Sequence, residues 1–334
     1  MSKLACQMPD PSSTHAFAPA ILEKLAALQA KYAATGQDLA AYLDGLLHAD
    51  YLSYWDYIHL DTLLSLQTPR TPIPDESIFI MYHQITELYF KLSLHELGQI
   101  AESPAPDAAQ LTKRIARINR YFEALTHSFD IMVDGMDPAQ FLQFRMALLP
   151  ASGFQSAQYR MIEIRCTTFD RLLHAEHRRR DTAYRREDIP ELYPDLYWKA
   201  GAVELSSGEK TFTLKQFEAK YDRVLLDLAH QCYETNVRSV YLARPETSGN
   251  DSLREQLRWL DVNVNIHWPL SHYKSAVRYL QKDPEDIAAT GGTNWQKYLP
   301  PRFQKRIFFP ELWSESEQQD WGKGWVQKNV FKKD

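Results

Sequence analysis

DESIFIMYHQITELYFKLSLHELGQIAE, residues Asp75 to Glu102, is the stretch from which the fold can be read. Two acids open it, where they suit the positive end of a helix dipole, and Pro104 stands just past its end. Ile78, Tyr82, Ile85, Tyr89 and Leu92 recur at three- and four-residue steps and predict the apolar face of one long helix. Phe79, His83, Glu87 and Lys91 form a second row at four-residue steps. A lone histidine on such a row is ordinarily structural, so the helix alone assigns His83 no chemistry. The 334 residues contain only twelve glycines, well under the usual share of about 7%. Tight turns are therefore few, and helices are favoured over many short strands.

Upstream, TPRTPIPD (Thr68 to Asp75) with its three prolines reads as a rigid connection. Before it, YLSYWDYIHLDTLLSLQ (Tyr51 to Gln67) is dense in aromatics, as expected of a core or an interface. Ile21, Leu22, Leu25, Leu28 and Tyr32 predict a helix over Pro19 to Ala33, and a second short helix fits Leu39 to Leu47. Residues 1 to about 17 lack periodicity and read as a tail. We expect an N-terminal extension over 1–50, a helical domain over 51–314 and a polar tail over 315–334.

Downstream, Leu111, Ile115, Ile118, Phe122, Leu125 and Phe129 predict a helix from about Ala108 to Val133. MDPAQ reads as a cap, with Asp137 at N-cap and Pro138 at the first helical position. The helix it starts leads into FLQFRMALLPASGFQSAQYRMIE, Phe141 to Glu163. Arg145 lies there in an apolar run, costly to bury unless something anionic meets it. Its planar fork matches a carboxylate, whether that of a ligand or of an acidic side chain. A further helix is expected from Gln155 to Ala175. The least helical stretch runs from Arg178 to about Glu218, where VELSSGEKTFTL has the alternation and central glycine of a small hairpin. Helices are then expected from Lys215 to Leu242 and from Asp251 onward, the latter through WPLSHYKSAVRYL to ATGGTNWQKYL.

With 44% apolar and 24% charged residues and a net charge of −5, the composition is that of a globular protein and argues against general nucleic-acid binding. No apolar run approaches a membrane span, and the N-terminus lacks a signal-peptide core, so no membrane partner and a cytoplasmic location are expected. Cys6, Cys166 and Cys232 are odd in number and widely spaced, which argues against a disulfide framework or a cysteine zinc site. A di-iron carboxylate bundle fails on spacing: His83 with Glu87, and Glu123 with His127, are four apart instead of three.

FR followed at short range by SGFQSAQYRxIE closely resembles the signature of the tryptophan 2,3-dioxygenase family. FIMYHQITELYFK is similar to that family's FIxxHQxxELWxK helix, and Tyr54, Tyr57, Leu60, Asp61, Leu63, Leu64 and Gln67 fall in register with YxxYLxLDxLLxxQ. His272 follows Trp268 by four residues and precedes Arg278 by six, as in WxxxHxxxxxR, while ATGGT and FFPELW resemble GTGGS and FFPELF. The motifs keep the family's order across most of the chain.

The resemblance implies an all-α, heme-containing helical bundle of the tryptophan/indoleamine dioxygenase type, with at most a small hairpin. It implies opening of the indole ring of L-tryptophan by O2 to N-formylkynurenine. It also implies heme b (iron protoporphyrin IX) on His272 as axial iron ligand, with His83 over the indole and hydrogen-bonded to its N–H. Phe79 would pack on the ring, Arg145 would grip the substrate carboxylate, and Ser152 and Thr290 would join the substrate site. Tyr54 and Tyr57 would reach a neighbouring subunit's site in a homotetramer. Three departures stand out: Phe141 replaces a tyrosine whose hydroxyl holds the carboxylate, Ala151 replaces a serine, and the KDPED segment (Lys282 to Asp286) lengthens the gap from His272 to Thr290. They leave open a related heme oxygenase or hydroxylase acting on a modified tryptophan or another aromatic amino acid. A non-catalytic heme or tryptophan binder is the remaining alternative, though it would have no need of the carboxylate clamp.

Overall fold

The computed structural model describes residues 17–49, 53–103, 106–148, 155–178, 184–200, 202, 209–280, 301 and 305–322. Among these residues there is no strand beyond isolated bridges such as that between Leu173 and Leu196, and the protein is all-α. Backbone contacts divide it into a unit ending at Leu66 and a unit beginning at Gln67. Among the described residues no helix is long and apolar enough to cross a membrane.

The first unit holds α1 (Pro19–Ala33), α2 (Leu39–Leu47), α3 (Tyr54–Tyr57) and α4 (Leu60–Leu64). The first two match the ranges predicted by periodicity. Asp38 caps α2 by accepting the Ala40 N–H, and the rings of Tyr32 and Tyr42 stack at 4.6 Å. His59, with a left-handed φ of 52°, separates α3 from α4. No residue on these four helices is buried.

The second unit is built on α5 (Asp75–Glu102), whose ends fall where the acids and Pro104 put them. Glu76 is buried and accepts from the Arg70 and Thr71 N–H groups and the Thr71 hydroxyl. It thereby fastens the proline-rich connection to the first turn of α5. The buried face, however, is Tyr82, Thr86, Phe90, Ser93, Leu97 and Ile100. Ile85 and Leu92, expected on the core face, are each 44% exposed. The helix is apolar on two sides, and periodicity alone selected the wrong one for these two residues.

Against the buried face pack α6 (Ala108–Ser128), capped by Asp107, and α9 (Ala157–Cys166), capped by Ser156. Ile115, Ile118, Phe122 and Leu125 on α6 are fully buried in the continuous core. The expected single helix to Val133 instead breaks at Phe129 into a separate turn, α7 (Asp130–Val133). Asp137 caps α8 (Pro138–Phe144) by accepting from Ala139 and Gln140, with Pro138 in its first turn. Arg145 begins the 3-10 turn that follows. Helix α9 stops at Thr167 and does not reach Ala175, because Thr167 turns to extended backbone and its hydroxyl donates to the Phe308 carbonyl at 2.6 Å.

Short turns α10 (Ile189–Leu192) and α11 (Tyr197–Ala200) follow. Residues 203–208 of the expected hairpin lie outside the described residues, but Phe212, Thr213 and Leu214, assigned to its second strand, are helical. Thr211 caps α12 (Phe212–Gln231) there. The helix expected to reach Leu242 breaks after Gln231, and Asn236 caps α13 (Val237–Leu242) by accepting from Ser239 while donating to the Cys232 and Tyr233 carbonyls. A turn, α14 (Pro245–Ser248), leads to α15 (Asp251–Val262), and α15 continues through a π-turn at Asn263–His267 into α16 (Trp268–Leu280).

Two buried charge clusters tie these helices together. Asp261 on α15 accepts from the Phe308 and Phe309 N–H groups, the Trp313 indole and the Asn265 amide at 2.7 to 3.0 Å. Burial lifts its pKa to about 6 against the pull of these four donors. Glu163 on α9 is wholly buried and accepts from Arg160, Tyr197 and Arg306. The phenol of Tyr197 is pushed up by burial and stays a donor.

Candidate active site

Helices α5, α8 and α16 bring the candidate residues together. Three helical turns are involved, and two of them carry a histidine with the same backbone restraint. His83 Nδ1 is 2.7 Å from the Phe79 carbonyl four residues earlier, and His272 Nδ1 is 3.0 Å from the Trp268 carbonyl four residues earlier. A carbonyl can only accept, so each Nδ1 carries the proton and each Nε2 keeps its lone pair. Burial lowers the pKa of His83, opposed by the Phe79 bond and by Glu87 one turn on. Burial, opposed by the Trp268 bond and helped by the nearby His83, likewise lowers His272 to about 4. Both imidazoles are neutral at pH 7, each with an Nε2 lone pair for a donor or a metal.

The two histidines are joined by rings. Phe79 lies 4.1 Å from the His83 ring. Tyr82 meets His83 edge-on and then Phe129 at 5.7 Å, and Phe129 lies 4.5 Å from His272, as does Trp268. On the other side Phe79 approaches Phe144 at 5.8 Å and Phe141 at 6.3 Å. Phe141 packs on Tyr279 at 4.7 Å. Arg145 follows Phe144 directly and is buried, and burial pulls its guanidinium below the usual range. The arrangement is a run of aromatic rings joining two neutral imidazoles.

The structure thus unites Phe79, His83 and Phe141 in one aromatic cluster that continues through Tyr82 and Phe129 to His272. Ser152 and Thr290 lie outside the described residues. Tyr54 and Tyr57 belong to the first unit and stand 70% and 73% exposed. Sequence reasoning assigned no site role to Phe129, Phe144 or Tyr279. Phe129 carried only a helical-face signal, and Tyr279 gave none.

The comparisons with known proteins fall on this geometry. The sequence model of tryptophan 2,3-dioxygenase matches residues 46–181, across Tyr54, His83, Phe141 and Arg145. The tryptophan 2,3-dioxygenase of Ruegeria sp. is 32% identical over 290 residues, covering 80% of this chain and 92% of that protein. The chain belongs to the tryptophan 2,3-dioxygenase family. Tryptophan 2,3-dioxygenases of Pseudomonas aeruginosa (32% over 273 residues, 78% of this chain and 88% of that protein) and Bacillus anthracis (31% over 280 residues, 80% and 94%) are similar to it at the same level.

Tyr279 supplies no hydroxyl in place of the one that Phe141 lacks. Tyr279 lies against Phe141, but its hydroxyl donates to the Val133 and Met136 carbonyls at 3.1 and 3.3 Å. Its proton is therefore committed to backbone. The donor set at His272 fits a heme: a neutral imidazole, its tautomer fixed by the Trp268 carbonyl and its ring held between Phe129 and Trp268, presents one nitrogen lone pair.

Proposed function

We propose that the protein is a heme-dependent dioxygenase that opens the C2–C3 bond of the indole of L-tryptophan, or of a close analogue, and adds both atoms of O2 to give N-formylkynurenine. The observation that carries this reading is the pair His83 and His272, each proton-locked to its own helix and joined by one aromatic wall. Heme b held by His272 would supply the binding and activation of O2. The chain's own residues would place the reactant. Arg145, buried, would take the carboxylate through two parallel N–H bonds. Phe79, with Phe141 and Phe144 behind it, would enclose the indole and exclude water. The His83 Nε2 lone pair would accept the indole N–H, an orienting contact worth about 0.5 to 1.5 kcal/mol. Ser152 and Thr290 would add polar contacts to the carboxylate and ammonium.

We further propose a homotetramer. Met81, Ile85, Leu88 and Leu92 on α5 are all exposed at heptad-like spacing. Tyr54, Trp55 and Tyr57 are exposed as well. Apolar surface on this scale is typical of a protein interface. The free, buried Cys166 and Cys232 suit the reducing cytoplasm.

The test is to load the protein with heme, reduce it, supply tryptophan and O2, and follow the N-formylkynurenine absorbance alongside the heme spectrum of His272→Ala. The expected outcome is product from the parent and loss of the histidine-ligated ferrous spectrum in the variant. An unchanged ferrous five-coordinate spectrum in His272→Ala would sink the heme assignment.

A further inference from the structure

The helix bearing His272 runs without interruption from Asp251 to Leu280, but it changes register at Asn263–His267. There the Trp268 N–H bonds to the Asn263 carbonyl, five residues back instead of four. In that register the next acceptor is the Val264 carbonyl, and its donor would be the N–H of residue 269. Residue 269 is a proline and has none. Val264 is fully buried, so water cannot replace the missing donor.

The donor comes from another helix. Tyr159 on α9 gives its hydroxyl hydrogen to the Val264 carbonyl at 3.0 Å. The phenol is itself held, its ring 5.6 Å from Phe90 and its oxygen accepting from Arg306 at 3.3 Å. Burial raises its pKa, so it remains a donor at ordinary pH.

The register of this turn has a direct geometric consequence. One residue corresponds to about 100° of rotation on a helix. A change of register between Val262 and Trp268 would therefore re-aim His272 relative to Leu253, Leu257 and Leu260, which α15 buries in the core. The Trp268 carbonyl that fixes the His272 tautomer belongs to the residue that closes the turn.

We propose that Tyr159 is a positioning residue for His272: its hydroxyl replaces the N–H that Pro269 lacks and so holds the π-turn that aims the imidazole. The part concerning the imidazole rests on His272 as the heme ligand; the coupling of Tyr159 to Pro269 does not. The bland alternative is that Tyr159 matters only as a neighbour of Arg306 and Glu163.

A double-mutant cycle separates these readings. Tyr159→Phe, Pro269→Ala and the double variant are made in the full chain, and each is melted without heme and titrated with hemin. Tyr159→Phe should lower the Tm by about 2 to 6 °C, the scale of one buried carbonyl losing its donor. It should also weaken hemin binding about tenfold, the lower end for groups that orient a metal ligand. Pro269→Ala restores the backbone N–H, so adding Tyr159→Phe to it should move neither quantity appreciably. If Tyr159→Phe does not accumulate as folded protein, recovery of folded double variant is the same positive result. An equal Tyr159→Phe defect in both backgrounds, or a double variant that is not recovered, overturns the proposal. Tm coupling with unchanged hemin affinity also overturns it, since the turn would then not aim the imidazole. His272→Ala run alongside tells this apart from failure of the heme assignment: hemin binding insensitive to that change removes the ligand and leaves the coupling.

Discussion

Arg145 and Phe141 stand four residues apart and face the same question, what holds the carboxylate. Because Arg145 is buried, removing it from a bound anion should cost about 3 to 5 kcal/mol. Arg145→Ala should accordingly lower kcat/KM by roughly two to four decades; steady-state rates within a few-fold of the parent would make Arg145 structural only. Phe141 offers the carboxylate nothing, and Tyr279 beside it is committed to backbone carbonyls. Phe141→Tyr should therefore add one donor to a charged group, about 1.5 to 3 kcal/mol. The gain should appear as a ten- to hundredfold lower KM with kcat nearly unchanged, since the carboxylate takes no part in the oxygen chemistry. A raised KM would mean that the pocket has closed over the ring and that the natural substrate differs from tryptophan. His83 gives a pH prediction. Protonation removes the Nε2 lone pair, and burial lowers its pKa below the ordinary 6.5. The acid limb of kcat/KM should then fall below pH 6.5, and a midpoint above that value would exclude His83 as the acceptor.

At the scale of elements, Asp261 ties α15 to the Phe308–Trp313 segment. Asp261→Ala would leave two backbone N–H groups, an indole and an amide without their acceptor. The expected cost is about 3 to 5 kcal/mol, near the upper end for a single change, read as a Tm drop of roughly 10 °C. A loss under 1 kcal/mol would show that the Phe308–Trp313 segment docks through its side chains alone. The elements legible in the sequence were those whose signals are local. Asp75 and Glu76 start α5, Asp137 and Pro138 start α8, and His83, Arg145 and His272 sit in short motifs. What escaped depends on distant partners. Thr167 ends α9 because its hydroxyl finds Phe308, a residue far along the chain. The π-turn left only Pro269 as a trace, with its donor on another helix. On α5 the predicted Tyr82 is buried and Ile78 and Tyr89 pack against the core, but Ile85 and Leu92 do not, for a different reason: apolar residues surround the helix, and a period cannot choose between two faces.

At the scale of the molecule, the second apolar face of α5 is the feature that asks for a partner. Ile85→Lys combined with Leu88→Glu should convert the proposed tetramer to smaller species by light scattering, while the thermal melt of the separated chain stays close to the parent's because neither side chain enters the core. An unchanged oligomer would move the interface elsewhere. The uninterrupted helix from Asp251 to Leu280 has a consequence of another kind. Asp261 and His272 lie eleven residues apart on it, about 16 Å along one rod. A ligand taken only by the folded rod must, by mass action, favour every attachment the rod makes. Cofactor occupancy at one end and cohesion of the Phe308–Trp313 segment at the other then share a single equilibrium, so the rate at which a protease nicks that segment would serve as a gauge of how much of the protein is loaded.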